Sequence, residues 1–332
     1  MNRVGSRTSH PEGQQPLGPA AIAMTLLTVA LWGGTPTAVK YSLDMLPDVM
    51  AVSAIRFAMA AMFMVFWCNL EGSSLRLRPG QLVPSFILGV LLFVQIGTFT
   101  VAIKLSNASH SSLFINTFIF WVAGIDHFIT QINRLTPRKI FGLVIAASGV
   151  GLILLTTGSE TEEETTNNLP SLAGDLVMLA SAFVLGVKII YTKHAVKTVE
   201  PSKLIFWHNC IGVAFFALWS GLFERPDFSP FFSQTVITNS TTRNALLGLL
   251  YQGVVVAGFC FAVQAYLLKN HSASKITVFS FATPLFGMGI AILLRGDPLS
   301  PWLFVSGWCV AVGILLVNLA PRVSKHENDR SP

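Results

Sequence analysis

Charge is scarce in this chain. Only 11% of its 332 residues are Asp, Glu, Lys or Arg, against roughly 25% in a soluble domain, and about half are hydrophobic. An ordinary water-soluble globule is therefore excluded. Carboxylates are scarcer still inside the apolar runs: Asp126 and Asp175 stand near the ends of theirs, and no Asp or Glu sits at mid-run. The basic residues behind the net charge of +6 are scattered singly and form no stripe, so no nucleic-acid partner is expected. Cysteine is limited to Cys68, Cys210, Cys260 and Cys309, all within apolar runs and without metal-ligand spacing, which reads as four buried small hydrophobes. No GxSxG, HExxH or EExxxR pattern occurs. With no nucleophile and base, paired acids or metal cluster, the chain is expected not to be an enzyme and to need no cofactor.

What the chain does have is length in apolar runs. A hydrocarbon core about 30 Å thick needs roughly 20 apolar residues per helix. Ten runs meet that need: 20–41, 48–69, 83–103, 109–129, 138–156, 172–192, 202–223, 245–267, 274–294 and 301–320. The first is too long for a signal peptide and is followed by too many further spans. Residues 1–19, polar and rich in Gly, Pro and Ser, read as a disordered cytoplasmic tail, and 321–332 as a second one. With the N-terminus in the cytoplasm, inner segments hold fifteen Lys and Arg and outer segments five, namely Lys40, Lys104, Arg225, Arg243 and Arg295. That bias predicts both termini inside, in a multi-pass cell-membrane protein. The acidic connection 157–171, containing GSETEEETTNN, then falls outside as a solvated linker.

The linker is also the midpoint, and the two halves resemble each other. Lys104–Ile125, KLSNASHSSLFINTFIFWVAGI, lies over Lys269–Ile290, KNHSASKITVFSFATPLFGMGI, at equal length and with a shared small-polar turn. Pro137 with Gly149 matches Pro301 with Gly313, and Pro47 following Lys40 by seven matches Pro201 following His194 by seven. Each half, 20–156 and 172–320, has five spans, so the second enters the bilayer upside down. Inverted repeats of this kind mark alternating-access carriers with a site near mid-membrane.

The stretch LWGGTPTAVKYSLDMLPDVMAVSAIR (31–56), the five-plus-five plan, the turn before the fourth and ninth spans and the Gly-rich fifth and tenth spans resemble the EamA branch of the drug/metabolite transporter superfamily. The resemblance covers about 22–320. It implies an all-α fold of ten transmembrane helices, two inverted five-helix repeats around a central cavity lined mainly by spans one, three, four, six, eight and nine. It also implies inner-membrane export of amino acids, related metabolites or drugs. Two departures stand out. Ile119 occupies the place in the fourth span where the ninth has Pro284, and Asn133 and Asp297 stand where the family often has glutamate.

Several residues are candidates for a polar path. Arg56, about eight residues or roughly 12 Å into the second span, would cost roughly 2.5 to 3.5 kcal/mol facing lipid. It either attracts a substrate carboxylate or phosphate or binds backbone carbonyls. Lys188 lines the cavity or snorkels to the near surface, and Lys40 is an interface anchor or gate. Gly33, Gly34 and Pro36 predict a kink in the first span bordering the cavity, with Trp32 and Trp121 as flat walls. Gln95, Asn116, Tyr251 and Gln252 need partners away from water, from substrate or from another helix. His208 and Asn209 occupy the inverted counterpart of the Arg56 region. For coupling, two readings stand: Asp126 with His127 as a proton relay near the cytoplasmic mouth, or uncoupled exchange or facilitated export.

The expectation is a secondary transporter exporting small zwitterionic or anionic metabolites, with a lipid or lipid-phosphate flippase of the same superfamily as the alternative. Its partners are a small-molecule substrate and the lipid bilayer, and homodimer formation is left open.

Overall fold

The structure is a computed structural model and describes residues 18–129, 136–157, 170–232, 239–271, 276, 278–298 and 300–319. The C-terminal tail, most of the linker and residues 1–17 of the N-terminal tail lie outside those residues, and Pro19, taken above as tail, already belongs to the first helix. Every regular element among the described residues is helical, as expected where no water is present to satisfy an open sheet edge.

Ten helices make up the bundle among the described residues. In the first repeat they are α1 (Pro19–Met45), α2 (Val49–Glu71), α3 (Leu82–Leu105), α4 (Ala108–Ile115 continued by Phe118–Phe128) and α5 (Pro137–Thr157). In the second they are α6 (Leu172–Ala195), α7 (Pro201–Glu224), α8 (Ser240–Asn270), α9 (Val278–Ala282 continued by Thr283–Arg295) and α10 (Pro301–Leu319). Seven are long and apolar enough to cross a membrane by themselves, and Thr283–Arg295 and Pro301–Leu316 are shorter apolar helices.

The helices pack chiefly across the repeats. α2 packs on α7, α4 on α9 and α5 on α10, each pair being its own image when one repeat is exchanged for the other. Most of the other large contacts come as image pairs: α3 on α6 with α8 on α1, α4 on α6 with α9 on α1, and α3 on α7 with α8 on α2; α9 on α10 is without such an image among the described residues. Neither five-helix unit is closed without the other.

The helices are interrupted where the sequence is least suited to a continuous helix. α1 breaks at Gly34, between Pro19–Gly33 and Thr35–Met45, with Pro36 in the first turn of the second piece, where its missing N–H leaves no bond unmade. The break is held in place by close packing: a methyl on Gly33 would lie 2.8 Å from Phe286 Cβ of α9, and one on Gly34 2.8 Å from the Tyr251 hydroxyl of α8. In α9 a 3-10 turn, Val278–Ala282, hands over to an α-helix that has Pro284 in its first turn. α4 breaks at the aligned place, Asn116 and Thr117, although it has Ile119 instead of proline. There Asn116 Nδ2 donates to Ser112 O at 2.7 Å and Thr117 Oγ1 to Phe114 O at 2.7 Å, so side chains do locally what the ring does in α9. α8, at 31 residues, is longer than its apolar core, and Tyr251–Cys260 within it is π-helical.

α5 and α10 meet through small residues. A methyl on Gly149 would lie 2.7 Å from Cys309 Cβ and 2.9 Å from Ser306 O, whereas one on Gly151, two positions on, would meet nothing within 4 Å. Gly149→Ala is therefore expected to destabilise the protein by about 1–3 kcal/mol through overpacking, while Gly151→Ala leaves it unchanged. Thermal unfolding of the two variants in detergent measures the difference.

Candidate functional site

The candidate residues of the bundle interior collect around a side chain that carries no mark in the sequence, Phe261 of α8. Its ring lies 6.5 Å from Trp32 of α1, 6.3 Å from Phe57 of α2 and 6.1 Å from His208 of α7, and Lys188 Nζ of α6 sits 5.1 Å from its centroid. Both repeats thus contribute to one group. Among 25 phenylalanines nothing local distinguishes this one; only the assembly of four neighbouring helices on it does.

Two cations stand in this group. Arg56 is 2% exposed; its Nε donates to Gln252 O at 3.3 Å, and its guanidinium lies 5.0 Å from the Phe57 centroid. Lys188 is 6% exposed and donates from Nζ to Gln95 Oε1 at 2.8 Å. The lysine thus points into the bundle and does not snorkel to the surface. Gln95 is fixed in turn from α6, since Ser181 Oγ donates to its backbone carbonyl at 2.8 Å. Among the described residues the ion pairs are His110 with Asp175, Lys203 with Glu200 and Arg295 with Asp44. Neither Arg56 nor Lys188 is matched by a carboxylate there. Both rely on neutral carbonyls and ring faces, weaker partners for a cation than an anion would be.

The group also contains buried polar atoms without partners: Arg56 Nη1, Trp32 Nε1 and Asn209 Nδ2, all donors, and the acceptor Gln252 Oε1. Leaving a buried donor unpaired costs about 1–3 kcal/mol, and donor capacity here exceeds acceptor capacity. An arrangement of unpaired donors and unmatched cations suits an anionic or carboxylate-bearing occupant.

The other candidates take different places. Gln252 Nε2 donates to Ser42 Oγ at 2.7 Å, tying α8 to α1, and the Tyr251 hydroxyl donates to Leu31 O beside the α1 break. Pro36 and Pro284 are buried at their helix breaks, and Asn116 is occupied with its own helix. Trp121 is 42% exposed and lies edge-on to Phe183 at 5.1 Å, packed on Gly186 of α6 rather than on Phe261. The His127 ring packs edge-on to Phe128 at 4.6 Å; the Asp126 side chain falls outside the described residues. Lys40, read as an interface anchor or gate, is buried and donates to Ile103 O at 3.1 Å and Ser106 O at 2.6 Å at the end of α3.

Comparison with known proteins agrees with this architecture. The model of the EamA-like transporter family matches residues 19–155 and 172–319, one match in each repeat. The chain is 21% identical over 297 residues to the uncharacterized transporter YoaV of Bacillus subtilis, covering 89% of this chain and 96% of that one. It is 24% identical to a protein of Salmonella typhimurium named a probable amino-acid metabolite efflux pump, covering 88% and 93%, and 24% identical to one of that name from Escherichia coli, again covering 88% and 93%. A solved crystal structure superposes with a TM-score of 0.65 at 17% identity, over 90% of this chain and 96% of the other, which shows a common fold. The protein, built as ten membrane helices in two five-helix repeats, belongs to the EamA-like transporter family.

Proposed function

We propose that this transporter exports small anionic or zwitterionic metabolites, amino acids or related compounds, from the cytoplasm by alternating access, and that the group around Phe261 is its substrate site. The observation that carries the reading is the pairing of two buried cations, Arg56 and Lys188, with unpartnered donors on Trp32 and Asn209 and with no matching carboxylate among the described residues. A substrate carboxylate supplies the missing charge, and Phe261 with Trp32 supplies an apolar wall for the rest of the molecule. The names of the Salmonella and Escherichia relatives support an amino-acid type of substrate.

The packing supports alternating access. The site draws on α1 and α2 of one repeat and α6, α7 and α8 of the other, so a small rotation of one unit on its image moves the walls relative to each other. The breaks in α1, α4 and α9 are where such a motion is absorbed with few hydrogen bonds lost.

The membrane is the inner one, with the end of the bundle where α1 begins in the cytoplasm. At that end the described residues include Arg76, Arg78, Arg138, Lys139, Lys193, Lys197, Lys203 and Lys269; the opposite end has Lys40, Lys104, Arg225, Arg243 and Arg295. A cysteine replacing Lys104 should react with an impermeant maleimide added to intact cells, and one replacing Lys197 only after the cells are opened. Reaction of the second in intact cells overturns the orientation.

An export screen in cells overproducing the chain tests the function. Excretion of one or more amino acids or related anionic metabolites should rise above that of cells with an empty vector. Arg56→Gln should cut that rise by about tenfold or more, the worth of one hydrogen bond to a charged group. Lys188→Gln should do the same, and Phe261→Leu should reduce it by a smaller factor, about two- to fivefold, for the lost cation-π face. If all three variants reach the membrane in parental amounts and export equally well, the site is elsewhere.

A further inference from the structure

Beyond the site, the most connected group of ionisable side chains lies at the opposite end of the bundle, the outer end on the orientation proposed above. His110 of α4 and Asp175 of α6 meet there at 2.9 Å between Nδ1 and Oδ2, and both are buried. The second carboxylate oxygen accepts from Ser106 Oγ, in the turn between α3 and α4, at 2.9 Å. Lys40 of α1 binds the same turn through Ser106 O and Ile103 O. Asp297, following α9, accepts from both the backbone N–H and the hydroxyl of Ser109 at 2.9 Å. The turn is therefore fastened to α1, to α6 and to the end of α9. It is also pressed against α6, since a methyl on Gly174 would lie 2.8 Å from Ser106 Cβ and 2.9 Å from the Leu105 carbonyl carbon.

Two positions of this fastening differ in character from their images at the other end. The spacing that aligns Pro47 with Pro201 places Ala21 opposite Asp175 and His194 opposite Lys40. Ala21 packs against the cluster of Val263, Leu267, Leu268 and Ile276, and His194 is exposed and bonded to Ile190 O of its own helix. The inner end has an ion pair of a different kind, Lys203 with Glu200 three residues before it.

The contacts of the pair say which protonation state favours closure. Nearby, Lys40 feels Arg295, Asp44 and Asp297, and Arg295 pairs with Asp44. A proton on His110 turns its hydrogen bond to the buried Asp175 carboxylate into an ion pair. Lys104, bound to Pro47 O, and Glu224, which accepts from the N–H groups of Met50 and Ala51, belong to a neighbouring corner and do not bond the pair. Asp48, at that corner, is held above the ordinary carboxylate range by burial and by Glu224.

We propose that His110 and Asp175 form a proton-binding latch of the outer end: the pair takes one proton from the external solution as the α3–α4 turn closes and returns it when the turn lifts. Imidazole is the side chain whose charge ordinarily changes between about pH 5 and 8, so outward opening is favoured as external pH rises. The latch is distinct from the pairing of Asp126 with His127 considered from the sequence. It rests on the alternating-access reading, but its test needs no substrate. An export failure and a latch failure are therefore read separately.

Ala108, the first residue of α4, is 1% exposed and becomes reachable when the turn lifts. In a chain with its four cysteines replaced, Ala108→Cys is labelled from outside by an impermeant maleimide across pH, with Lys104→Cys as the exposed reference for the reagent's own pH dependence. The ratio of the two rates should rise about tenfold from about pH 5.5 to about pH 7.5. In both Asp175→Asn and His110→Gln, two near-isosteric changes made separately so that misfolding of one leaves the other, the ratio should be independent of pH. A ratio that does not change with pH in the parent, or that rises equally in either variant that folds, overturns the latch.

Discussion

Two positive charges held inside a membrane protein without a negative one set the terms for the rest of this structure. A cation facing lipid is costly, so Arg56 and Lys188 must face protein, and the ten helices are arranged to let them. Arg56 reaches a backbone carbonyl, Gln252 O, of the π-helical stretch in α8. Lys188 reaches a glutamine amide that α3 presents and α6 fixes. Neutral oxygens and aromatic faces hold the charges in place yet leave them unmatched. On the function proposed above, such a site would accept an anion and still release it, since the cations keep their protein partners when the substrate has gone.

The two repeats divide this work unevenly. Their packing is largely symmetric, with most large helix contacts mirrored or self-mirrored, and even the break in α4 reproduces that of α9 without its proline. Their chemistry is not symmetric. The first repeat brings Arg56 and the polar α3–α4 turn; the second brings Lys188, Phe261 and Asp175. Inversion leaves the packing of the two repeats alike, while sequence divergence places different side chains on each.

The architecture was largely legible in the sequence because it depends on features spread over many residues. Length and hydropathy of the runs, the Lys and Arg bias and the spacing of prolines and glycines all survive a few wrong positions. The break at Gly34 could be read because glycine and proline act locally. The candidate site was legible only in part: Arg56, Lys188, Gln95 and Trp32 stand out as polar or amphipathic groups in apolar runs, and the fold brings them near one another. Phe261 could not be found that way, since a phenylalanine in a membrane helix carries no signal until its neighbours are known. The partnership of His110 with Asp175 was missed for a related reason. The two are 65 residues apart, and each reads singly as a polar residue near a helix end. Trp121 shows the opposite error, a residue on a suitable helix but turned toward Phe183.

The central claim is that the interior group binds a substrate by its negative charge, and a matched pair of ligands tests it most directly. For a metabolite found in the export screen, its carboxylic acid and the corresponding carboxamide have nearly the same size and apolar surface and differ in charge. The melting temperature of the purified protein in detergent should rise with the acid, by several degrees at saturating concentration, and stay unchanged with the amide, while Arg56→Gln responds to neither. Equal stabilisation by acid and amide would contradict the binding of substrate charge by Arg56 and Lys188.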